Sequence, residues 1–231
     1  MEIACVNKHQ LYISGKEIEV YPSTIPDRPT IYLNTFQKEG DRVYQALRGR
    51  HVPEHTLVAI SGLEWDHDMA PWDIPPISKD DIPCTGGADA YLELLTNTIM
   101  PEAEKLVPGE VLWRGLAGYS LAGLFALYAM YQTKLFSRVA SMSGSLWFPG
   151  FRDYVFSHNM KMSPECLYLS LGDQECRTRN PYLKTIQEHT EAIHTFYQQK
   201  EIETTFQLNP GNHFKNAVQR TASGIEWILT R

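Results

Sequence analysis

The sequence predicts an α/β fold with a mostly parallel central sheet, helices on both faces and antiparallel strands at the N-terminus. From residue 29 onward, short apolar runs alternate with segments of helical periodicity, a pattern typical of parallel strands joined by crossover helices. Before residue 22, short apolar bursts are interrupted by a breaker at residues 14–16, which indicates paired antiparallel strands. Because no repeat, linker or change of composition divides the chain, we expect one domain over residues 1–231.

The elements follow one another in a regular order. We expect N-terminal strands at 3–6, 11–13 and 18–21, and buried strands at 30–34, 56–62, 136–144, 166–172 and 202–208. Helical spacing indicates helices at 39–47, 87–106, 181–200 and 217–230, and Pro101 should interrupt the second of these. Residues 63–83 are expected to be irregular and 145–162 irregular or partly helical. Loops of such length often line a site.

Composition restricts the function. Hydrophobic residues make up 43% of the 231 residues, charged residues 21%, and the formal net charge is −6. This acidic balance argues against nucleic acid or an anionic membrane as a partner. No apolar run has the length of a membrane span, and residues 1–6 do not resemble a secretory signal, so we expect a cytoplasmic protein. The four cysteines show no metal-binding or redox spacing and are expected to be reduced structural thiols.

The segment 114–127 is the strongest chemical signal. An apolar run leads into Gly118-Tyr119-Ser120-Leu121-Ala122-Gly123 and then into a segment that we expect to be an amphipathic helix. A serine in such a sharp strand-to-helix turn projects its hydroxyl out of the sheet, and small neighbours let the strand and helix pass closely. The backbone N–H of Leu121 would then point to a developing oxyanion. The alternative is that Ser120 only caps a buried helix.

A serine nucleophile needs a base and an acid. His213 lies in the loop after the last predicted strand, where the order serine, acid, histidine places the base. Asp173 and Glu175 both follow the preceding strand and are candidates for the acid. We favour Glu175, because Asp173 is better placed to bond backbone amides within the turn. The acid would fix the tautomer of His213 and stabilise its imidazolium form.

Other candidate sites are weaker. Residues 64–68 crowd three carboxylates and His67 together, which could hold a metal ion, although a solvated acidic loop is the favoured interpretation. His51 and His55 have the spacing of helical metal ligands, but Pro53 between them disfavours a helix. Phosphate-binding, dinucleotide and zinc motifs are missing from the sequence. We therefore expect neither a metal nor a cofactor.

Five segments, taken in order along the chain, resemble the "Putative esterase" group of α/β-hydrolases. This group includes esterase D and the enterochelin-type siderophore esterases. The segments that carry the resemblance are 29–33, 57–60, 117–123, 142–147 and 211–214.

The resemblance implies an α/β-hydrolase fold and a serine carboxylic-ester hydrolase with Ser120, His213 and Glu175 as the catalytic residues. The second oxyanion donor should follow the strand at 30–34, and the resemblance assigns it to the Phe36 N–H. Three positions differ from the group. Ala122 and Thr35 stand where glycine is common, and the segment before Pro71 lacks the arginine expected in members that cleave siderophores. A catecholate substrate is therefore disfavoured.

The predicted function is hydrolysis of a small or exposed ester or thioester through an acyl-enzyme. Trp65, Trp72 and Trp147 belong to the long loops and would wall the substrate pocket, or would be core aromatics instead. The expected partner is a small-molecule ester, with a homodimer possible. An acyltransferase with the same site and a non-catalytic binding protein are the alternatives.

Overall fold

The computed structural model describes residues 8–231, and an eight-stranded sheet forms its centre. Its strands lie in the order β1-β2-β4-β3-β7-β8-β9-β10. All neighbours from β4 to β10 pair in parallel, whereas β2 pairs with β1 and β4 in antiparallel fashion. A separate antiparallel pair is formed by β5 and β6. The ten strands are β1 (His9–Ile13), β2 (Lys16–Tyr21), β3 (Arg28–Asn34), β4 (Thr56–Ser61), β5 (Asp73–Ile74), β6 (Cys84–Thr85), β7 (Val111–Tyr119), β8 (Arg138–Met142), β9 (Cys166–Gly172) and β10 (Glu203–Asn209).

Helices cover both faces of the sheet, as expected. One face carries α1 and α8, whose apolar side chains form a core layer with one set of strand residues. The other face carries α3, α5, α6 and α7, which form the larger core layer. The eight α-helices of the described residues are α1 (Gly40–Arg48), α2 (Trp65–Asp68), α3 (Ala88–Leu94), α4 (Met100–Glu104), α5 (Leu121–Gln132), α6 (Phe151–Ser157), α7 (Ile186–Gln199) and α8 (Ala217–Leu229). The predicted α/β-hydrolase architecture is confirmed.

The N-terminal strands form a hairpin. Ser14 and Gly15 connect β1 to β2 and have φ values of 49° and 79°. Two consecutive residues with positive φ make the tight turn that matches the twist of antiparallel strands. The predicted strands at 11–13 and 18–21 are thus confirmed, whereas the predicted strand at 3–6 and the residue Cys5 lie outside the described residues.

The predicted helix at 87–106 is interrupted, although earlier than at the proline itself. It consists of α3, a π-helical segment at Leu95–Ile99, and α4, in which Pro101 lies in the first turn. A proline ring clashes with the carbonyl four residues before it and lacks an N–H, so the preceding turn widens. The predicted helix at 181–200 begins later than expected, at Ile186, after a short 3₁₀ turn at Leu183–Thr185.

The expectation that an amphipathic helix follows the turn at Ser120 is wrong. Every residue of α5 from Leu121 to Tyr131 is buried. One side of the helix packs on β7 and β8, and the other side is covered by α3 and by aromatic side chains such as Tyr91, whose ring lies 5.2 Å from that of Phe125. A helix enclosed on all sides is apolar all round. Packing on all sides therefore fixes the N-terminus of α5 next to the turn at Ser120.

The long predicted loops contain short elements. Residues 63–83 include α2 and β5, and residues 145–162 include α6. Cys84 and Cys166 are buried free thiols, and Cys176 is a partly buried one. Within residues 8–231, no helix combines the length and the apolar character needed to cross a membrane.

Candidate active site

The carboxyl ends of five parallel strands meet at one edge of the sheet. Their register places Asn34 beside Gly118, Tyr119 beside Met142, and Gly172 beside Asn209. Loops that leave this edge carry the serine, acid and histidine predicted from the sequence. Because ligands of open parallel sheets bind beyond the carboxyl ends of strands, this edge is the candidate active site.

Ser120 lies at the turn between β7 and α5 in a strained backbone conformation. Its φ and ψ are 60° and −125°, a region that residues with a side chain rarely occupy. A Cβ at Gly118 would collide with the Ala122 carbonyl oxygen, and a Cβ at Gly123 would lie 2.9 Å from the Cα of Gly144. Glycine at these two positions lets the strand and helix approach closely enough to hold the turn.

His213 lies in the loop between β10 and α8 and faces the serine. Its Nε2 is 3.1 Å from the Oγ of Ser120. The Tyr119 hydroxyl donates a hydrogen bond of 2.5 Å to the backbone carbonyl of His213, and the two rings lie 5.3 Å apart. Tyr119, which directly precedes Ser120, thus also fixes the loop that carries the imidazole.

Glu175 contacts the other imidazole nitrogen. Its Oε2 is 2.7 Å from the Nδ1 of His213, and its Oε1 accepts hydrogen bonds from the Gly172 N–H at 2.6 Å and the Ser143 hydroxyl at 2.8 Å. Burial alone would raise the pKa of Glu175. The hydrogen bond and charge of His213, with the Gly172 and Ser143 bonds, outweigh burial and hold that pKa below its usual range. The carboxyl group is therefore ionised at neutral pH.

The structure brings Glu175, rather than Asp173, to the histidine. The Oδ1 of Asp173 accepts a hydrogen bond of 2.7 Å from the Gly211 N–H. This bond ties the turn after β9 to the loop after β10. Asp173 thus bonds a backbone amide, as expected, but the amide belongs to the loop after β10 and not to its own turn.

Sequence reasoning missed Arg220, which contacts Glu175 from α8. Its guanidinium is buried and lies 3.2 Å from the Oε1 of Glu175. An arginine in an amphipathic helix ordinarily indicates an exposed face, so its residue type did not suggest a buried position. The signal that could have identified it is its spacing, because Arg220, Gly224 and Ile228 recur every four residues on the buried face of α8.

Two backbone N–H groups, on residues that line the same pocket as Ser120, lack a hydrogen-bond acceptor among the described residues. Among residues 8–231, neither the Leu121 N–H nor the Phe36 N–H has a hydrogen-bond partner. Leu121 is the first residue of α5, whose N-terminus carries a partial positive charge. The neighbouring Thr35 N–H, in contrast, is bonded to the Ile60 carbonyl at 2.8 Å. These two free donors are the two that the sequence analysis assigned to an oxyanion.

A cleft of about 810 Å³ opens over the serine and histidine. Trp65 and Trp147 line it, and the Trp65 ring packs edge-on against Phe36 with the ring centres 5.0 Å apart. Placing Trp72 in the pocket is wrong, because Trp72 is not among the lining residues. Its indole packs against Phe148, Phe151 and Tyr154, and its Nε1–H donates to the Pro149 carbonyl. Trp72 is a partly buried aromatic that packs against the core.

The acidic segment at residues 64–68 is not the solvated loop that we expected. Its last four residues form α2, and the buried Asp68 pairs with the Nζ of Lys16 at 2.5 Å. The Oδ2 of Asp68 also accepts a hydrogen bond from the Glu64 N–H. The Nδ1 of His67 lies 2.8 Å from the Thr85 hydroxyl. Residues 8–231 contain no group of three or more histidine, cysteine, aspartate or glutamate side chains arranged to hold a metal ion.

Solved structures of similar fold include a siderophore hydrolase and a serine hydrolase. The siderophore hydrolase EstA from Aspergillus nidulans has a TM-score of 0.72 at 19% identity, covering 96% of this chain and 93% of its own. An IroE-like serine hydrolase from Shewanella oneidensis has a TM-score of 0.76 at 17% identity, with 97% and 80% covered. These similarities support the hydrolase fold.

Sequence comparison gives two further matches. The uncharacterized protein YbbA of Bacillus subtilis (strain 168) is 23% identical over 212 residues, which cover 87% of this chain and 85% of YbbA. The family described as "Putative esterase" matches residues 33–213, a range that begins at the end of β3 and includes Ser120, Glu175 and His213. The chain therefore belongs to the "Putative esterase" family.

Proposed function

We propose that this protein hydrolyses carboxylic esters or thioesters through an acyl-enzyme formed on Ser120. One observation carries the proposal. The Oγ of Ser120, the imidazole of His213 and the carboxylate of Glu175 form a continuous hydrogen-bonded chain, with distances of 3.1 Å and 2.7 Å. This arrangement of hydroxyl, base and orienting acid activates a serine that is otherwise a weak nucleophile. Membership of an esterase family supports the same reaction.

In the proposed reaction, the Ser120 oxygen attacks the substrate carbonyl while the Nε2 of His213 accepts its proton. The oxyanion is bound by the N–H groups of Leu121 and Phe36, each of which contributes about 3 kcal/mol to lowering the barrier. The imidazolium, stabilised by the ionised Glu175, then protonates the leaving alcohol or thiol. Water attacks the acyl-enzyme with His213 again as base, releasing the acid and restoring the serine.

The cleft suits an ester that is apolar or uncharged near the scissile bond. Among the described residues that line it are the carboxylates of Glu39, Asp66, Asp80, Asp81 and Glu175, but no lysine or arginine. The iron(III) complex of a tri-catechol lactone, whose deprotonated catechols make it anionic, would meet like charge there. We therefore propose a small neutral ester or thioester as substrate, although EstA is described as a siderophore hydrolase.

Covalent labelling by a fluorophosphonate probe, read by peptide mass spectrometry, tests the mechanism. We expect one adduct on Ser120, loss of labelling and hydrolysis in Ser120→Ala, and no loss in Ser157→Ala, which removes an exposed hydroxyl at the end of α6. An unlabelled Ser120 in the folded protein would contradict catalysis and favour a binding protein on the same scaffold.

Substrate assays complete the test. p-Nitrophenyl esters of rising chain length, S-formylglutathione and the iron(III) complex of a tri-catechol lactone should be compared at one enzyme concentration. We expect turnover of the short neutral esters to exceed that of the lactone. If product forms only when an alcohol acceptor is added, the protein is an acyltransferase instead, since the same acyl-enzyme is then released to the alcohol rather than to water.

A further inference from the structure

Arg220 is a buried cation that the proposed reaction does not itself use. Only 4% of the residue is exposed, although a guanidinium is strongly disfavoured in a protein interior unless it is paired and hydrogen-bonded. One of its terminal nitrogens is bonded to the Glu175 Oε1 and the Ser143 hydroxyl at 3.2 Å each and to the Tyr119 hydroxyl at 3.3 Å. The other donates to the Pro210 carbonyl at 3.2 Å.

These four partners lie on four of the segments that build the site. Tyr119 directly precedes the nucleophile, and Ser143 follows β8. Glu175 follows β9, and Pro210 lies in the loop that carries His213. A guanidinium presents five donors in a fixed planar fork, so its contacts set the positions of these segments relative to one another.

The chain leaves space for this contact at Gly172, the last residue of β9. A Cβ at Gly172 would lie 2.9 Å and 3.0 Å from the two terminal nitrogens of Arg220 and would collide with the Gly211 carbonyl. A larger residue would therefore displace both the guanidinium and the histidine loop. Glycine at the end of β9 thus allows Arg220 of α8 to come close to Glu175.

The charge of Arg220 acts on His213 through Glu175. One carboxylate oxygen receives the guanidinium and the other receives the Nδ1 of His213. When His213 is protonated, one carboxylate lies between two cations that repel each other across it. Other titratable groups face this pair less directly: the phenol of Tyr119, the carboxylate of Asp173 on the Gly211 N–H, and Lys215, whose side chain packs on Gly211.

We propose that Arg220 is a positioning residue that aligns Glu175 with His213 and whose positive charge, on the far side of the carboxylate, repels a second positive charge on the imidazole. This inference rests on the proposed function, because it concerns the base of that reaction. A neutral residue at position 220 would remove this repulsion. The acid limb of the pH profile of kcat/KM should then move to higher pH.

The test uses two variants at position 220 and one matched control. Arg220→Gln keeps hydrogen-bonding groups but removes the charge, whereas Arg220→Lys keeps the charge but loses the planar fork. The control is Arg50→Gln, because Arg50 also contacts a glutamate, a serine hydroxyl and a backbone carbonyl of α8, at Glu226, Ser223 and Gln219. The measurement is kcat and KM for p-nitrophenyl acetate over the full pH range, with folding verified by circular dichroism.

We expect Arg220→Gln to move the acid limb upward and Arg220→Lys to leave it at the wild-type pH while lowering kcat by about tenfold to a hundredfold through misalignment. Arg50→Gln should change neither. An unmoved acid limb in folded Arg220→Gln overturns the proposal. If that variant does not fold, a displaced acid limb or an unchanged kcat in Arg220→Lys overturns it. Failure of the proposed function is distinguishable, because the wild-type protein would then lack ester hydrolysis and labelling at Ser120.

Discussion

Replacing Glu175 by glutamine tests the hydrogen-bonded chain most directly, since it changes one oxygen to an amide nitrogen without changing size. The Oε1 side of Glu175 meets three donors: the Gly172 N–H, the Ser143 hydroxyl and Arg220. The single carbonyl oxygen of glutamine will therefore occupy that side, and the amide NH₂ will face the Nδ1 of His213. Two donors cannot bond each other, so Nδ1 must become the acceptor.

The consequence for His213 is the wrong tautomer. With its proton on Nε2, the imidazole donates toward Ser120 and can no longer accept the serine proton. We expect kcat to fall about 10³- to 10⁴-fold, equivalent to about 4–5.5 kcal/mol in the barrier. The variant also leaves Arg220 without its counter-charge, which typically costs about 3–5 kcal/mol of stability for a buried pair.

Stopped-flow and steady-state hydrolysis of p-nitrophenyl acetate measure the rate, and urea unfolding measures the stability. The matched control is Asp173→Asn, whose amide oxygen can still accept the Gly211 N–H. It should retain most of the activity. The reasoning is refuted if folded Glu175→Gln hydrolyses the ester within about threefold of wild type, or if Asp173→Asn is the variant that loses activity.

Four further predictions follow from other features. Gly118→Ala should abolish labelling of Ser120 and destabilise the fold by about 1–3 kcal/mol. The new Cβ would lie 2.7 Å from the Ala122 Cβ and closer still to the Ala122 carbonyl oxygen, where the backbone cannot yield. Labelling kinetics and urea unfolding measure the two effects. The pKa of Glu175 is lowered in the folded state. Its ionised form therefore contributes stability above the ordinary carboxyl pKa, and this contribution is lost as pH falls through and below that ordinary pKa. The stability difference between wild type and Glu175→Gln, measured by urea unfolding, should shrink from about pH 6 to about pH 3. Trp147→Ala should raise KM for bulky esters, whereas Trp72→Ala should lower the melting temperature with a much smaller effect on KM, because only Trp147 lines the cleft. Calorimetry should give one cooperative unfolding transition, since both core layers pack on the same sheet and we propose that the chain is one domain.

The alternation of strands and helices and the grouping of Ser120, Glu175 and His213 could be predicted because they depend on local patterns. Apolar runs alternating with helical periodicity indicate parallel crossovers, and the small residues around Ser120 indicate the turn at the end of β7. His213 was identified by its place after the last strand, and Glu175 by its distance from the strand-terminal glycine. Each of these signals lies within a few residues of the side chain concerned.

Features that depend on tertiary contacts could not be predicted. The sequence did not reveal which side of its loop each tryptophan faces, so Trp72 was grouped with Trp65 although it packs against the core aromatics Phe148 and Phe151. The ion pair of Asp68 with Lys16 joins residues 52 positions apart, and no local pattern predicts it. Arg220 and Glu175, likewise, are brought together only when α8 packs across the sheet.

The strained backbone at Ser120 has a consequence for how the protein loses activity. A residue with a side chain keeps φ of 60° together with ψ of −125° only while the surrounding packing forces this conformation. The packing around α5 therefore maintains this conformation. If that packing loosens, the backbone of Ser120 can relax and move its hydroxyl away from the imidazole of His213. On gentle warming, catalysis should accordingly fade while the sheet and helices are still intact.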